Sequence, residues 1–317
     1  MTRASAASIA AALRDQTAVT ILCHMRPDPD TIGSGLALGL ALQGLGMVVE
    51  VAFPGTTRLP DALTELPGAK LLVDEDAVVG HPAVVSVDAA SLERLENLAG
   101  VFERADLSVT IDHHASNGGF GDLDLIDQSA DCTAALVLDV LDELGVGLDA
   151  DIATCLYAGL LTDTGSFRWA RPASFRIAAR LLEAGVDGRT WSRKLIDSHP
   201  FAWFSMVSSV LDSATLHSDA FEGAGLVVAV VDRHSLEGLS WDESESVVDI
   251  VRTAREAEVA VVFKEGDPDQ WTVSLRSKTA DVVGLAQRHG GGGHKHAAGY
   301  SDAGTADAVV GRLLDSI

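Results

Sequence analysis

Three short apolar runs in the first half of the chain each stop on a titratable side chain, one imidazole and two carboxylates. Residues 17–23 lead into His24, residues 83–87 into Asp88, and residues 107–111 into Asp112. Each run has strand length and is rich in Val and Ile, which predicts a buried β-strand. Residues 47–53 add a further strand pattern. Between and after these runs, residues 32–46, 133–144, 149–162 and 173–184 read as helices, the last closed by Gly185. Buried strands alternating with helices predict an α/β fold with an open, mainly parallel sheet covered on both faces. Such sheets bind ligands beyond the C-terminal ends of their strands, where His24, Asp88 and Asp112 fall.

The chain has 317 residues, enough for two domains. From about residue 216 the pattern turns strand-like again, at 226–232, 259–264 and 271–276. A Gly-rich stretch and a closing helix at 306–314 follow. Residues 189–212 mix helical character with Trp, Phe and Pro, as suits a connector packed against both domains. The expected organisation is a catalytic, metal-binding domain at 1–190, a connector at 191–215 and a smaller α/β substrate-binding domain at 216–317. The 23 basic and 46 acidic side chains give a net charge of −23. A charge of that sign argues against long nucleic acid, whose backbone needs a basic track, but leaves room for a small anion in a local positive pocket. Cys23, Cys132 and Cys155 are widely spaced and form no disulfide or zinc pattern, so a reduced, cytoplasmic setting is expected. No apolar stretch reaches membrane-spanning length, and no secretory signal opens the chain.

The most informative segment runs from His24 to Ser34. His24, Asp28 and Asp30 converge from a strand end and its loop, stiffened by Pro27 and Pro29. Thr31 is expected to cap the following helix, and Gly33 to let backbone approach a ligand. Ser34 either contacts a phosphate or simply begins the helix. Asp88, Asp112, His113, His114 and Asp163 come from three further segments. Asp163 ends a helix, where the dipole disfavours an anion, so a positive charge should offset it. Any one of these residues alone would be a cap or a surface group. Four segments at one sheet edge instead point to a pair of divalent cations, for which mixed carboxylate and imidazole donors suit Mn²⁺. Two metals can clamp a phosphate under attack.

With these residues in view, the chain resembles the DHH phosphoesterase superfamily, whose triplet is here Asp112-His113-His114. The segment His24 to Ser34, the aspartate Asp88 and the run Thr162-Asp163-Thr164-Gly165-Ser166-Phe167 carry the match; Pro29 stands where the family often has a small residue. The resemblance implies two Mn²⁺ per chain, with Mg²⁺ or Co²⁺ as substitutes. One would be held by His24, Asp28 and Asp88, the other by Asp30, Asp88, His113 and Asp163, with Asp88 bridging. His114 would act beside the substrate phosphate, and Asp112 would orient a histidine. Asp88, Asp112, His113 and His114 form the implied catalytic set.

In the second half, Arg276 ends a predicted strand, and Gly290-Gly291-Gly292-Gly293-His294 follows. The glycines can aim backbone amides at an anion, and Arg276 can fork onto a phosphate. This is no Walker A loop, because its spacing is absent. The segment looks like the DHHA1 signature, which implies that Arg276, Gly291, Gly292, Gly293 and His294 bind substrate. The layout is similar to the NrnA-like group. That implies hydrolysis of RNAs of two to five nucleotides, pApA included, to mononucleotides, and of adenosine 3′,5′-bisphosphate to AMP. Similarity to actinobacterial members adds cyclic di-AMP, and the group implies a homodimer. A manganese-dependent inorganic pyrophosphatase and a non-catalytic nucleotide-binding module remain the alternatives. A RecJ-like exonuclease on long DNA fits the charge poorly. Trp169 and Trp241 either stack on bases or pack internally.

Overall fold

The Val- and Ile-rich runs of the first half become the central strands of a sheet because helices cover both of its faces. The computed structural model describes residues 2–55 and 58–317, without the side chains of Thr2 and His294. It divides into two units, the first ending at Ser198 and the second spanning His199–Ile317.

In the first unit the strands are β1 (Thr2–Arg3), β2 (Ala18–Leu22), β3 (Val48–Ala52), β4 (Ala83–Val87), β5 (Leu107–Asp112) and β6 (Leu123–Ile126). They lie in the order β1-β6-β5-β4-β2-β3, and every pairing is parallel. One face packs on the helices Pro29–Gly44 and Thr133–Leu144, and Ala150–Asp163 packs in turn against these two. The other is covered by Leu95, Leu98 and Phe102, against Leu22, Ala52 and Val84. After β2 the chain moves outward to β3, then crosses back to β4 on the opposite side of β2. The order therefore reverses between β2 and β4, which opens a crevice at their C-terminal ends. This is the open parallel α/β sheet expected from the sequence. The strands β1 and β6, too short to show a periodicity, were not expected.

The long helix begins at Pro29 rather than near residue 32. Asp28 is its N-cap, its carboxylate accepting from the amides of Asp30 and Thr31, each at 3.0 Å. Proline at the first helical position favours that start, so Thr31 is inside the helix and its hydroxyl serves another purpose. Gly33 meets a neighbouring helix rather than a ligand. A Cβ there would stand 2.3 Å from the carbonyl oxygen of Cys155.

The second unit holds β7 (Thr215–His217), β8 (Leu226–Val231), β9 (Val259–Glu265), β10 (Gln270–Ser277), β11 (Gly292–His294) and β12 (Ala297–Ala303). Their order is β11-β12-β10-β9-β8-β7, antiparallel except for the β8–β9 pair. Phe263, Val273, Leu275 and Tyr300 pack beneath the closing helix Ala306–Asp315. The Gly-rich run is half of a hairpin, with Gly292 opposite Gly299 and Gly293 opposite Ala298. Glycine is needed there for close approach, since a Cβ on Gly291 would stand 2.0 Å from the carbonyl oxygen of Gly299. Of the connector residues, the helix Gly188–Ile196 packs on Ala150–Asp163, and the helix Trp203–Ser213 packs on β8. Among the described residues, no helix is long and apolar enough to cross a membrane.

Candidate metal centre

The crevice between β2 and β4 is built by short-range hydrogen bonds that tie its walls together. The Thr31 hydroxyl accepts the amide of His24, just after β2, and donates to the carbonyl of Val87, at the end of β4, at 3.0 Å. Asp88 follows with φ +62°, a left-handed conformation that Asp tolerates better than most residues. Its amide donates to Ile111 of β5, and the Thr133 hydroxyl donates to its carboxylate at 2.8 Å. Asp30, fully buried, receives the amides of Thr133 at 2.7 Å and Ala134 at 3.0 Å. It therefore sits against the N-terminus of the helix Thr133–Leu144, where partial positive charge favours an anion. Gly159 makes the space, because a Cβ there would stand 2.3 Å from Asp30 Oδ1.

Three sets of donors result: His24, Asp28 and Asp88; Asp30, His113 and Asp163; and Asp88, His113 and His114. Within each, one ligand atom per residue lies inside 4.8 Å of the others. His24 Nε2 is 3.5 Å from both Asp28 Oδ2 and Asp88 Oδ2. His113 Nε2 is 3.6 Å from Asp88 Oδ1 and 3.3 Å from Asp163 Oδ2. Asp88 thus offers one oxygen to each side, and Asp28 uses one oxygen as a helix cap and turns the other inward.

The electrostatics describe a site short of positive charge. Burial opposes protonation of His24, but the carboxylates of Asp28 and Asp88 outweigh it and lift the imidazolium to about 9. His113 rises to about 10, as Asp163, Asp88 and Asp30 overcome its burial. Burial, with the anions Asp88 and Asp163 beside it, pushes Asp30 well above the carboxylate range. Burial also raises Asp163 to about 6, although His113 holds it back. Asp28, half exposed, is the exception: against its partial desolvation, His24 and the Thr31 amide hold it well below the carboxylate range. Protons here stand in for cations. The donors fit a divalent metal pair of the Mn²⁺ or Mg²⁺ kind: they are carboxylates and imidazoles, while burial keeps the nearby Cys23 thiol protonated up to about 12.

Asp112 stands behind the centre. Its Oδ1 accepts the amide of His113 at 2.9 Å and faces His114 Nδ1 at 2.7 Å. Its Oδ2 accepts from Asn117 Nδ2 at 2.7 Å, and Asn117 also donates to the carbonyl of Ala89. Burial opposes it, but the hydrogen bond and charge of His114, together with Asn117 and His113, keep Asp112 ionised below its ordinary range. His114 Nδ1 lies 3.7 Å from Asp88, so Asp112 is its nearer partner. Ser34 is buried and donates weakly to Asp30 at 3.4 Å. Arg276 Nη1 donates to the carbonyl of Leu275 at 3.0 Å, and the Gly291 amide donates to Ala286 at 2.9 Å.

Sequence reasoning missed Thr133, Asn117, Gly159 and Arg94, whose Nη2 is 2.9 Å from His24 Nδ1. Thr133 had one signal, its place at a helix start. Gly159 and Arg94 act through contacts between segments far apart in the chain, and Asn117 through a turn that brings it back on Asp112.

A fold with its switch point lined by two linked carboxylate–imidazole sets defines a metal-binding hydrolase. Comparison with known proteins then fixes its kin. The model of the DHH family, N-terminal domain, matches residues 18–160, and that of the DHHA1 domain matches residues 223–314. The chain is 34% identical over 306 residues to the "Bifunctional oligoribonuclease and PAP phosphatase NrnA" of Thermus thermophilus, covering 94% of this chain and 89% of that one. It is 26% identical to the protein of the same description from Bacillus subtilis, covering 88% and 87%. An exopolyphosphatase-related protein from Bacteroides fragilis, 22% identical, shares the fold with a TM-score of 0.87 over 98% of this chain and 95% of that one. The chain belongs to the DHH/DHHA1 phosphoesterase superfamily and, within it, to the NrnA-like family of bifunctional oligoribonucleases and PAP phosphatases.

Proposed function

We propose that this protein hydrolyses phosphate esters of small nucleotides: short oligoribonucleotides such as pApA to mononucleotides, and adenosine 3′,5′-bisphosphate to AMP. Cyclic di-AMP is a further candidate substrate. The observation that carries this reading is the pairing of two donor sets through Asp88 at the switch point. Similarity to relatives described as acting on oligoribonucleotides and PAP supports the choice of substrate.

In this reading His24, Asp28 and Asp88 hold one divalent cation, and Asp30, Asp88, His113 and Asp163 hold the other, Mn²⁺ being the best match. The cations, when bound, supply positive charge against the phosphoryl oxygens. The protein's own side chains do the rest. Asp112, steadied by Asn117, fixes the His114 ring, so that its second nitrogen is the one presented to a phosphate oxygen. The Asp30 carboxylate is aimed by two helix-terminal amides, and Asp88 by the Thr133 hydroxyl, which limits the reorganisation needed when substrate arrives. Arg276, Gly291, Gly292, Gly293 and His294 are assigned to the nucleotide, Ser34 to support of Asp30, and the working form is a homodimer.

Chromatographic product analysis with Mn²⁺ tests the reading, with pApA, adenosine 3′,5′-bisphosphate, cyclic di-AMP and pyrophosphate under matched conditions. Release of AMP from pApA and from the bisphosphate is expected. Cleavage of pyrophosphate alone would replace the assignment with an inorganic pyrophosphatase, and binding without turnover would replace it with a nucleotide-binding module.

A further inference from the structure

The loop after the helix Ala150–Asp163 commits unusual backbone geometry to the placement of one ring. Gly165, Ser166 and Phe167 take φ values of +54°, +60° and +65° in succession. Left-handed geometry is costly for the two residues that are not glycine. The result is a sharp reversal. Phe167 turns toward Tyr157 and Phe175, with ring centroids 6.4 and 5.6 Å away. Trp169 turns back over Gly165.

The indole is held at two places. A Cβ on Gly165 would stand 2.1 to 2.5 Å from three of its ring carbons, so the ring lies directly on that glycine. Its Nε1 donates to the carbonyl oxygen of Asp163 at 2.7 Å. Asp163 is the residue whose carboxylate stands 3.3 Å from His113 in the candidate metal centre. Trp169 is thus fixed to the very segment that supplies a donor to the centre, and yet it is 48% exposed. Its neighbour Phe167 is partly buried against the core, whereas Trp169 keeps about half of its surface in solvent. With its N–H already committed to the backbone, it has no remaining donor with which to read a hydrogen-bonding pattern. What it presents is aromatic surface.

We propose that Trp169 is the stacking platform for the nucleobase whose phosphate is processed at the metal centre. The proposal rests on the nucleotide phosphoesterase reading above and adds to it the residue that recognises the base. A platform of this kind accepts any base, because every base has a π-face. It favours purines, whose larger face covers more of the ring, and it makes the base a contributor to affinity rather than to the chemical step.

The test uses the full-length, Mn²⁺-loaded protein with adenosine 3′,5′-bisphosphate and its abasic counterpart, ribose 3,5-bisphosphate. Alanine substitution of a base-stacking aromatic implies a rise in KM for the base-bearing substrate of roughly 5- to 150-fold for Trp169→Ala. The KM for the abasic compound should stay unchanged, and kcat for both should hold. Trp169→Phe should retain most of the affinity. As a readout independent of turnover, AMP should quench the intrinsic fluorescence of the wild-type protein and not that of Trp169→Phe, which keeps the other four of the five tryptophans. An equal rise in KM for both substrates would show that Trp169 only supports Asp163, and an unchanged KM for both would remove it from the site; either overturns the platform alone. A wild-type protein that turns over neither compound overturns the phosphoesterase reading itself.

Discussion

Asp88 directs one carboxylate oxygen at His24 and the other at His113, at 3.5 and 3.6 Å. Asp88→Asn keeps the shape of that side chain and removes its charge from both donor sets at once. Losing a group that merely supports a ligand already costs 10–100-fold, so turnover should fall by more than about 100-fold, with Mn²⁺ affinity falling alongside. Undiminished Mn²⁺-dependent activity in the folded variant would reject the bridging role. The same cluster sets a pH dependence. In the metal-free protein Asp163 gains its proton at about 6 instead of 3.8, and His24 and His113 lose theirs at about 9 and about 10 instead of 6.5. The folded state then binds more protons than the unfolded one between 3.8 and about 6, and again from 6.5 to about 10. Stability from these groups is present at the low end of each window and is lost as pH rises through it. Asp28, held low, acts in the opposite sense, stabilising above 3.8 and losing that effect as pH falls through its folded value. Mn²⁺ replaces the protons, so the rise in Tm that it produces should be larger at about pH 8 than at about pH 6. Calorimetry with Mn²⁺ and with chelator checks this, and an equal rise at both pH values would count against proton competition.

Two helices owe their close packing to glycines that face each other's backbone. Gly33 on Pro29–Gly44 meets the carbonyl of Cys155, and Gly159 on Ala150–Asp163 meets the Asp30 carboxylate. The two should fail differently when substituted. Gly33→Ala forces a Cβ against the backbone carbonyl of Cys155, and overpacking of this kind costs about 1–3 kcal/mol, visible as a lower Tm with or without metal. Gly159→Ala pushes on the Asp30 carboxylate, one of the proposed metal ligands, so Mn²⁺ affinity should fall by more than stability does. Parallel melts and Mn²⁺ titrations separate the two, and equal effects on both quantities would overturn the distinction. A third helix, Thr133–Leu144, contributes through its first turn, where two amides and one hydroxyl hold Asp30 and Asp88.

At the scale of the molecule, a chain of net charge −23 must gather positive charge locally to hold a nucleotide. Arg276 is the guanidinium assigned to that task in the second unit. A lost hydrogen bond to a charged group costs about 1.5–3 kcal/mol, so Arg276→Ala should weaken AMP binding by roughly 10- to 150-fold. Mn²⁺ affinity should be unchanged. Isothermal titration with each ligand decides it, and unaltered AMP affinity would remove Arg276 from the site. Metal loading should also stabilise the whole chain, by about 2.7 kcal/mol at a concentration 100 times the Kd.

The strands and the polar residues at their ends were legible because both are local properties. A Val- and Ile-rich run declares a buried parallel strand whatever surrounds it, and His24, Asp88, Asp112 and Asp163 could be placed by counting to the ends of such elements. The helix start at Pro29 was also within reach, since Asp28 and Pro29 are ordinary cap and first-turn residues. Tertiary structure decided the rest. Only the reversal of strand order between β2 and β4 brings His24 and Asp88 to one crevice. Only packing shows that Gly33 serves a helix contact, that Gly292 and Gly293 sit in a hairpin, and that Thr133 and Gly159 support carboxylates distant in the chain. The physical reason is range. Propensity, capping and burial patterns act over a few residues, whereas the aim of a carboxylate is set by whichever distant backbone and side chains the fold places against it.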